Sequence, residues 1–410
     1  MKSLSSLFRL GPGPSSSHTI APHLAAKRFY ALVEKQRPDR FIATFYGSLA
    51  YTAIGHGSSK AVSDVFAPFP CQIILDKETK VPHPLTMNFQ AFHGECLIKS
   101  VTYRSLGGGE ISSEEDEGAN EKDIYPFSSF EQIKAFLKAE NLANLKDFCL
   151  RFEDHSIDSY LLSCVKAMFR CVENGLRAEG KIPANSNPRL QLNRVAGDIF
   201  SQASSLAHED GRNFLLMTSY AYAVAESNAC GERIVTCPTC GASGVLPAVL
   251  YFEHKQRKVP LSRIRDSLYV AGVFGNLVKQ NSSIAGSVGG CQAEIGTASS
   301  MAAATLCYLH GLSLYQCEYA AECAMEHFLG LSCDPVDGYV IIPCIERNGM
   351  GACRAYTSYL YARSIAPIRS NQVRFDDVVV AMKLTGDSLN QEYKETALGG
   401  LAKILAEKRC

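Results

Sequence analysis

The 410-residue sequence lacks an excess of charge of either sign, because its 41 Lys and Arg residues balance its 41 Asp and Glu residues. A net charge of zero gives no broad electrostatic attraction to nucleic acid or to an anionic membrane surface. The sequence also has no apolar run near the roughly 18 to 20 residues that cross a bilayer. We therefore expect neither a nucleic-acid partner nor a membrane partner.

A secretion signal is also missing, since residues 1–13 contain no long apolar core. The chain nevertheless has 16 cysteines. In a small secreted protein that number would indicate a disulfide framework. In a long chain without a signal it indicates reduced thiols that bind metal or take part in catalysis. We therefore predict a cytoplasmic protein.

The pattern of apolar residues predicts an α+β protein. Residues 1–125 mix helix and strand signals and form a predicted N-terminal α/β domain, with a helix over residues 21–34. Residues 110–123 are acidic and almost free of large apolar residues, which is typical of a solvated loop. The predicted strands are residues 41–46, 71–75, 89–92 and 96–104.

Long helical patterns dominate the rest of the chain. Residues 126–143 form a predicted connection, and residues 144–410 form a larger, mostly helical domain. Loops on such a scaffold are common positions for functional side chains. The predicted long helices are residues 156–178, 189–207, 212–228, 244–253, 263–279, 297–310, 314–328, 351–363 and 375–384.

Three cysteines between residues 281 and 348 lie at predicted turns or strand ends, namely Cys291, Cys333 and Cys344. Cysteines that merely fill a core usually lie within helices, as predicted here for Cys307 and Cys323. Thiolates at loop tips suit a soft metal centre, either an iron–sulfur cluster or zinc. Three protein ligands leave one metal position open, as Lewis-acid catalysis requires. Three unrelated packing cysteines are the remaining alternative.

Two further motifs have side chains suited to binding and catalysis. A serine-rich stretch precedes the first helical pattern, and hydroxyls with backbone N–H groups at a helix start can bind an anion; an ordinary helix N-cap is the alternative. The second motif is His56, whose flanking glycines let the backbone approach a ligand closely. The serine-rich stretch comprises Ser15, Ser16, Ser17, His18 and Thr19.

Five stretches of the chain, in order, resemble the iron–sulfur-dependent L-serine dehydratases in their single-chain form. They read GPSSSHT at residues 13–19, YGSLA with GHG at 46–57, PTCGASG at 238–244, the cysteine-bearing stretch 281–348, and TGD with YKETALGGL at 385–401. The resemblance implies that residues 1–125 correspond to the β-chain and residues 144–410 to the α-chain of that family. It also implies a [4Fe–4S] cluster held by Cys291, Cys333 and Cys344, with the fourth iron free for the substrate.

The implied reaction converts L-serine to 2-aminoacrylate and then to pyruvate and ammonia. The poor hydroxide leaving group needs a Lewis acid, and the α-proton needs a base, for which a near-neutral imidazole is the usual choice. His56 and His18 are the two candidates, and we prefer His56 as the base, with His18 near the reacting atoms. The sequence leaves open which one is correct.

The resemblance implies further site residues. It places the substrate carboxylate at Ser15, Ser16, Ser17 and Thr19. The stretch Thr239 to Gly244 is a glycine-rich helix start that lines the active site, with Thr239 and Gly241 as binding residues. The terminal Cys410 would be a resting-state ligand of the open iron, although a frayed terminus is the alternative. We expect a small amino-acid substrate and a homodimer.

Other functions remain possible at this point. The family commonly has Pro-Thr-Asn-Gly where this chain has Pro-Thr-Cys-Gly, so no role is carried over to Cys240. Cys237 and Cys240 form a single CxxC, which alone is a weak zinc signal, and a zinc-stabilised binding module is one alternative. A pyridoxal-phosphate enzyme with Lys60 as Schiff base and residues 107–109 as phosphate loop is another. Threonine or cysteine could also replace serine as substrate.

Overall fold

The computed structural model of the chain describes residues 1–183 and 190–407, without the side chain of Asp210. Within these residues the architecture is α+β, as predicted, with one five-stranded sheet and a larger helical region. The strands are β1 (Leu10–Pro12), β2 (Arg40–Tyr46), β3 (Cys71–Asp76), β4 (Thr86–His93), β5 (Cys96–Gly107), β6 (Glu110–Ser113), β7 (Lys181–Ile182), β8 (Leu192–Asn193) and β9 (Arg233–Val235).

The helices fall into a small N-terminal group and a long C-terminal series. They are α1 (Ala21–Val33), α2 (Gly47–Thr52), α3 (Ser58–Phe66), α4 (Phe130–Ala139), α5 (Leu145–Cys149), α6 (Ile157–Arg177), α7 (Ala196–Ser205), α8 (Glu209–Ala229), α9 (Val245–Gln256), α10 (Leu261–Asn281), α11 (Gly286–Gly289), α12 (Thr297–Leu309), α13 (Leu314–Glu326), α14 (Cys344–Ile365), α15 (Phe375–Ser388) and α16 (Gly400–Glu407). No helix in the described part of the chain is both long and apolar enough to span a bilayer.

The N-terminal lobe is a sheet covered on one face by helices. Its strand order is β3-β2-β4-β5-β6, with β2 and β3 parallel and the other pairs antiparallel. Along β2 the residues alternate between partly buried and buried, so that Phe41, Ala43 and Phe45 face α1 and α3. This alternation is typical of a sheet with one face on a core.

The helical region is organised around α12. Nearly every residue of this alanine-rich helix is buried, and it packs against α9, α10, α13 and α14. Small side chains allow this close approach of helices on all sides, and a helix that is apolar all round lies in the centre of a domain. The turns before and after the surrounding helices therefore meet at the ends of the α12 bundle.

The first residues of the chain belong to the helical core rather than to the sheet lobe. Met1, Leu4, Leu7 and Phe8 are buried with the helical cluster, and β1 pairs antiparallel with β9. The chain enters the sheet lobe only at α1, so the segment between β1 and α1 joins the two parts. The predicted division of the chain at residue 125 stays a prediction.

The loop prediction for residues 110–123 was wrong at its start. Glu110 opens β6 and is buried, with its carboxylate 2.5 Å from Lys279 Nζ and 3.1 Å from Lys2 Nζ. Two partner cations offset the cost of burying this carboxylate. The acidic composition of this stretch suggested exposure to solvent. In the structure, lysines from distant parts of the chain neutralise Glu110 and allow it to be buried.

Two helix starts also differ from their predictions. The helix predicted from residue 189 begins at Ala196, and residues 184–189 lie outside the described part. The helix predicted from residue 351 begins seven residues earlier, so that Cys344 is its first residue and not the end of a strand. The remaining predicted strands and helices are confirmed, with shifts of a few residues at their ends.

Candidate active site

The turns that carry the predicted site residues meet where the sheet lobe contacts the end of the helical region. Two adjoining groups of side chains occupy this place. In one, the sulfur atoms of Cys291 and Cys333 and a carboxylate oxygen of Glu294 lie within 4.8 Å of one another. In the other, ring nitrogens of His18 and His56 and a carboxylate oxygen of Glu395 lie within 4.8 Å of one another.

The thiol group is built around Cys291, which follows Gly290 directly before the short helical turn Gln292–Gly296. A hydrogen bond from the Cys333 thiol, together with the positive charge of Arg347, lowers the pKa of Cys291 to about 6 despite complete burial. Cys291 is therefore a thiolate at neutral pH, the form that binds metals.

Space beside the two sulfur atoms depends on Gly286. A Cβ atom at this position would lie 2.9 Å from Cys333 Sγ and 3.1 Å from Glu294 Oε2, so the Cys333 side chain would have to shift to make room for it. The glycine is therefore needed for the backbone of α11 to approach the thiol group.

Cys344 and Arg347 approach the same group from the first turn of α14. The guanidinium donates a hydrogen bond of 2.8 Å to the carbonyl oxygen of Ser332, and the three thiol groups hold its pKa above the usual value. Burial, followed by the negative charge at Cys291, raises the pKa of Cys344 well above its usual value. A second or third thiolate therefore needs more positive charge than Arg347 alone supplies.

Glu294 closes the thiol group on the side of the Thr239–Gly241 turn. Burial and the Cys291 thiolate raise the pKa of Glu294 to about 8, so its carboxyl is largely protonated at neutral pH. A Cβ at Gly241 would lie 3.1 Å from both carboxyl oxygens, so this turn packs directly on Glu294. The Asn348 side chain holds the turn, since its Nδ2 donates to the Gly241 carbonyl at 2.7 Å.

His18 is held by serine hydroxyls on both sides of its ring. Its Nδ1 lies 2.9 Å from Ser17 Oγ and 3.3 Å from Ser15 Oγ, and its Nε2 lies 3.0 Å from Ser48 Oγ. The ring is fully buried, and burial followed by the charge of His56 lowers its pKa well below the usual value. His18 is therefore a fixed, neutral imidazole.

His56 is the less constrained of the two imidazoles. It is fully buried, yet neither ring nitrogen has a hydrogen-bond partner within the described residues. Burial lowers its pKa to about 3, so the ring is neutral. Its backbone carbonyl accepts a 2.7 Å hydrogen bond from the Thr19 hydroxyl, which connects the two histidine loops. Buried polar atoms without partners are unusual in folded proteins and call for an explanation.

Glu395 stands between the two groups. Its Oε1 lies 3.7 Å from His18 Nδ1 and 3.9 Å from His56 Nε2. Burial, followed by the charges of Glu294 and Cys291, raises the pKa of its carboxyl well above the usual value. Its backbone N–H donates to the Cys333 carbonyl at 2.7 Å, and its own carbonyl accepts from Ser48 Oγ at 3.1 Å.

Four residues of this site received no role from the sequence: Ser48, Glu294, Arg347 and Glu395. Two of them carried a signal, since Glu294 and Arg347 each lie three residues after a predicted cysteine ligand. Residues three apart on a helical turn share a face. Glu395 carried no such signal, because a bridge between residues 333 and 394 brings it to the site.

The remaining predicted positions divide clearly. Ser15, Ser16, Ser17 and Thr19 are buried in the segment that contains His18, and their role in binding the substrate carboxylate stays a prediction. Cys237 and Cys240 are buried, and no group of potential metal ligands in the described part of the chain includes them. Cys410 lies outside the described residues.

The pyridoxal-phosphate alternative is not supported by the position of its lysine. Lys60 has 79% of its side chain exposed and pairs with Asp64 on the outer face of α3. A Schiff-base lysine must instead be directed into a substrate pocket. The glycines at residues 107–109 pack on Ile284, Ala285, Ile20 and Arg9.

A sheet lobe and a helical region thus enclose a buried group of thiols, carboxyls and two neutral imidazoles. The family model for the serine dehydratase alpha chain matches residues 85–402, and that for the beta chain matches residues 3–67. The chain therefore belongs to the serine dehydratase family, with both parts in one polypeptide.

Curated relatives extend this similarity over nearly the whole chain. L-serine dehydratase 1 of Escherichia coli is 35% identical, covering 98% of this chain and 99% of its own length. L-serine dehydratase TdcG of the same organism is 36% identical over 97% of each chain. The L-serine dehydratase of Helicobacter pylori is 34% identical, over 98% and 99%.

Proposed function

We propose that this chain is an L-serine dehydratase. It removes the α-proton and the β-hydroxyl of L-serine to give 2-aminoacrylate and water, and hydrolysis of 2-aminoacrylate then gives pyruvate and ammonia. The observation that carries the proposal is a buried place where Cys291 and Cys333 adjoin two neutral imidazoles and where Cys344 interacts electrostatically with Cys291, in a member of the serine dehydratase family.

The thiol group suits a [4Fe–4S] cluster held by Cys291, Cys333 and Cys344. Three features support this fit. The pKa of Cys291 is lowered, and all three thiols interact with the charge of Arg347. Gly286 has no Cβ, which leaves room beside the Cys333 sulfur. When bound, the cluster would supply Lewis-acid chemistry to the departing hydroxyl. Cys410 would add a resting-state ligand, and its role stays a prediction.

His56 is the proposed base. A base for the α-proton needs a neutral imidazole with a nitrogen free to accept, and both His56 nitrogens are without partners. His18 has both nitrogens engaged by serine hydroxyls, which fixes its ring and leaves no nitrogen free to accept a proton. The carboxyl of Glu395, whose pKa is raised by burial, lies 3.9 Å from His56 Nε2 and can stabilise the positive charge on this ring once the carboxyl has released its own proton.

The serine-rich segment is the proposed site for the substrate carboxylate. Ser15 and Ser17 place their hydroxyls 3.4 Å apart around His18 Nδ1, and hydroxyl groups can donate to a carboxylate. Thr19 has a structural part, since its hydroxyl accepts from the Ser15 N–H and donates to the His56 carbonyl. On the opposite side, the buried hydroxyl of Thr239 lies beside the Glu294 carboxyl and can reach a ligand there.

One anaerobic experiment tests the proposal. The purified protein should contain iron and acid-labile sulfide but no pyridoxal phosphate, and it should form pyruvate from L-serine. The same assay with threonine and cysteine decides among small β-substituted amino acids. Pyridoxal phosphate in place of iron, or zinc without lyase activity, would contradict the proposal.

We also propose that the protein is a homodimer located in the cytoplasm. Sedimentation velocity tests the dimer, and cell fractionation tests the location.

A further inference from the structure

We propose that a cationic groove on the outside of the lobe junction binds a small, multiply charged oxyanion and thereby regulates the active site. The groove has a volume of about 560 Å³. Three cations line it, Arg9, Lys27 and Arg233, together with His23, and none of its lining residues is acidic.

Two of these cations are not neutralised by the protein. Among the described residues, neither Lys27 nor Arg233 takes part in an ion pair, and both are exposed. The acidic neighbour of Arg233 in sequence, Glu232, instead pairs with Arg194 at 2.6 Å. In a chain whose net charge is zero, such a concentration of unpaired positive charge is local, and it creates an attractive potential for anions.

An adjacent cavity shows why the ligand is assigned to this groove. That cavity, of about 360 Å³, shares Arg9 and Lys27 with the groove but is also lined by Glu121, which pairs with Arg9. An anion there would meet a carboxylate, whereas in the groove it would meet only cations and neutral groups.

The chemistry of the groove specifies the class of ligand. Lysine and arginine bind phosphate and carboxylate through charge-assisted hydrogen bonds, and the groove volume lies within the range of small-molecule sites. Nucleic acid is not the expected ligand, because a chain of zero net charge has no broad attraction to a polyanion. The shared chemistry is that of a phosphate ester or a small polycarboxylate.

The groove touches both ends of the segment that carries the site residues. Gly11 and Pro12 of β1 line it on one side and Ile20 on the other, and residues 13–19 lie between them. The two sides are packed together, since a Cβ at Gly11 would lie 2.8 Å from Ile20 Cδ1. A ligand that holds both ends biases the position of His18 and its serines. This regulatory part rests on the proposed function, whereas the binding part does not.

Binding can be measured by anaerobic calorimetry on the full chain with inorganic phosphate and, separately, with citrate. The variant Lys27→Ala with Arg233→Ala should bind about 100-fold more weakly, because each of the two lost charged contacts contributes on the order of 1.4 kcal/mol, a factor of about ten in affinity. The matched control, Lys35→Ala with Arg151→Ala, removes two exposed cations elsewhere and should bind as the parent does. Lys27→Met with Arg233→Gln repeats the test if the alanine variant does not fold.

Three results would overturn the site: no saturable binding by the parent, equal weakening in the control, or complete competition by L-serine, which would place the anion in the active site. Whether phosphate or citrate binds more tightly shows whether the natural ligand is a phosphate ester or a small polycarboxylate.

If anion binding is coupled to the active site, the anion should change the KM for serine about fivefold in the parent and in the control but not in the groove variant. An unchanged KM with intact binding would overturn the regulatory part alone, and absence of lyase activity with intact binding would count only against the proposed function.

Discussion

The Oε1 atom of Glu395 lies 3.9 Å from Nε2 of His56, although the two residues are far apart in sequence. The contact exists because residue 394 pairs with residue 333 in a short parallel bridge, which brings the C-terminal segment against the thiol group. Glu395 adopts a φ of 59°, a left-handed conformation that is uncommon for a side chain of this size. Strain of this kind is characteristic of functional positions.

Glu395→Gln should reduce kcat by about 10- to 100-fold, because the amide keeps the size of the side chain but cannot become negative beside an imidazolium. Iron content should stay unchanged. The measurement is steady-state kinetics with iron analysis of the same preparations. Glu392→Gln, at an exposed neighbouring position, is the control, and a similar loss in both variants would show that the effect is structural.

Replacing Cys291, Cys333 or Cys344 by Ala should remove most of the iron and all activity, because each supplies one thiolate of the proposed cluster. Cys307→Ala and Cys323→Ala are matched controls, since both thiols are buried within helices away from the site. Iron and acid-labile sulfide should be measured after anaerobic purification. Equal iron loss in both sets would contradict the assignment of these ligands.

His56→Ala should lower kcat by about 10²- to 10⁴-fold, the usual effect of losing a general base, while the visible spectrum of the cluster still responds to serine. His18→Ala should raise KM at least as much as it lowers kcat, because this ring is held among the proposed carboxylate-binding serines. The two variants serve as controls for each other. The reverse pattern would exchange the two roles.

Gly286→Ala should prevent iron incorporation without unfolding the protein, because the added Cβ would lie 2.9 Å from Cys333 Sγ. The control is Gly211→Ala, where the nearest atom lies 3.6 Å away and the position is helical. Circular dichroism and iron analysis separate the two effects. Normal iron content in Gly286→Ala would show that the space beside Cys333 is not needed for the metal centre.

Because of Glu226, the free energy of unfolding should decrease as the pH rises. Burial raises its pKa to about 7 from a usual value of 4.5, so the folded state binds a proton that the unfolded state has released between these values. The stabilisation that comes from this bound proton is therefore complete below about pH 4.5 and is lost as the pH rises through 7. Across that range the free energy of unfolding should fall by on the order of 3 kcal/mol.

Replacing this residue tests that dependence directly. Glu226→Gln should melt close to the parent at pH 5 and at a higher temperature than the parent at pH 8, because the amide stays neutral. Glu179→Gln, at an exposed position, should show no such divergence. If the parent and Glu226→Gln differ equally at both pH values, the titration of Glu226 does not control stability.

Local patterns in the sequence were sufficient for much of the fold. Apolar residues at every second position, Phe41, Ala43 and Phe45, predict a strand. The burial of α12 follows from its apolar, alanine-rich sequence. Glu110 could not be predicted in the same way, because its burial depends on Lys279, which lies more than 160 residues later in the sequence. Local composition contains no information about such partners.

In the candidate site, too, local sequence indicates some residues, whereas the fold alone brings others into place. The cysteines and histidines could be selected because their residue types and neighbours are unusual. Glu395, in contrast, is an ordinary glutamate in a polar segment, and only the bridge at residue 333 gives it a position beside His56. The relative suitability of the two histidines also needed the structure, since it depends on which ring nitrogens already have partners.

The bridge between residues 333 and 394 has a consequence for how the protein is made. During translation, Cys291, Cys333 and Cys344 leave the ribosome well before Glu395 does, and domains fold largely in order of synthesis. The three thiols therefore remain without their covering segment until almost the entire described chain has been synthesised. A metal that binds these thiols can therefore reach them before the C-terminal segment encloses them.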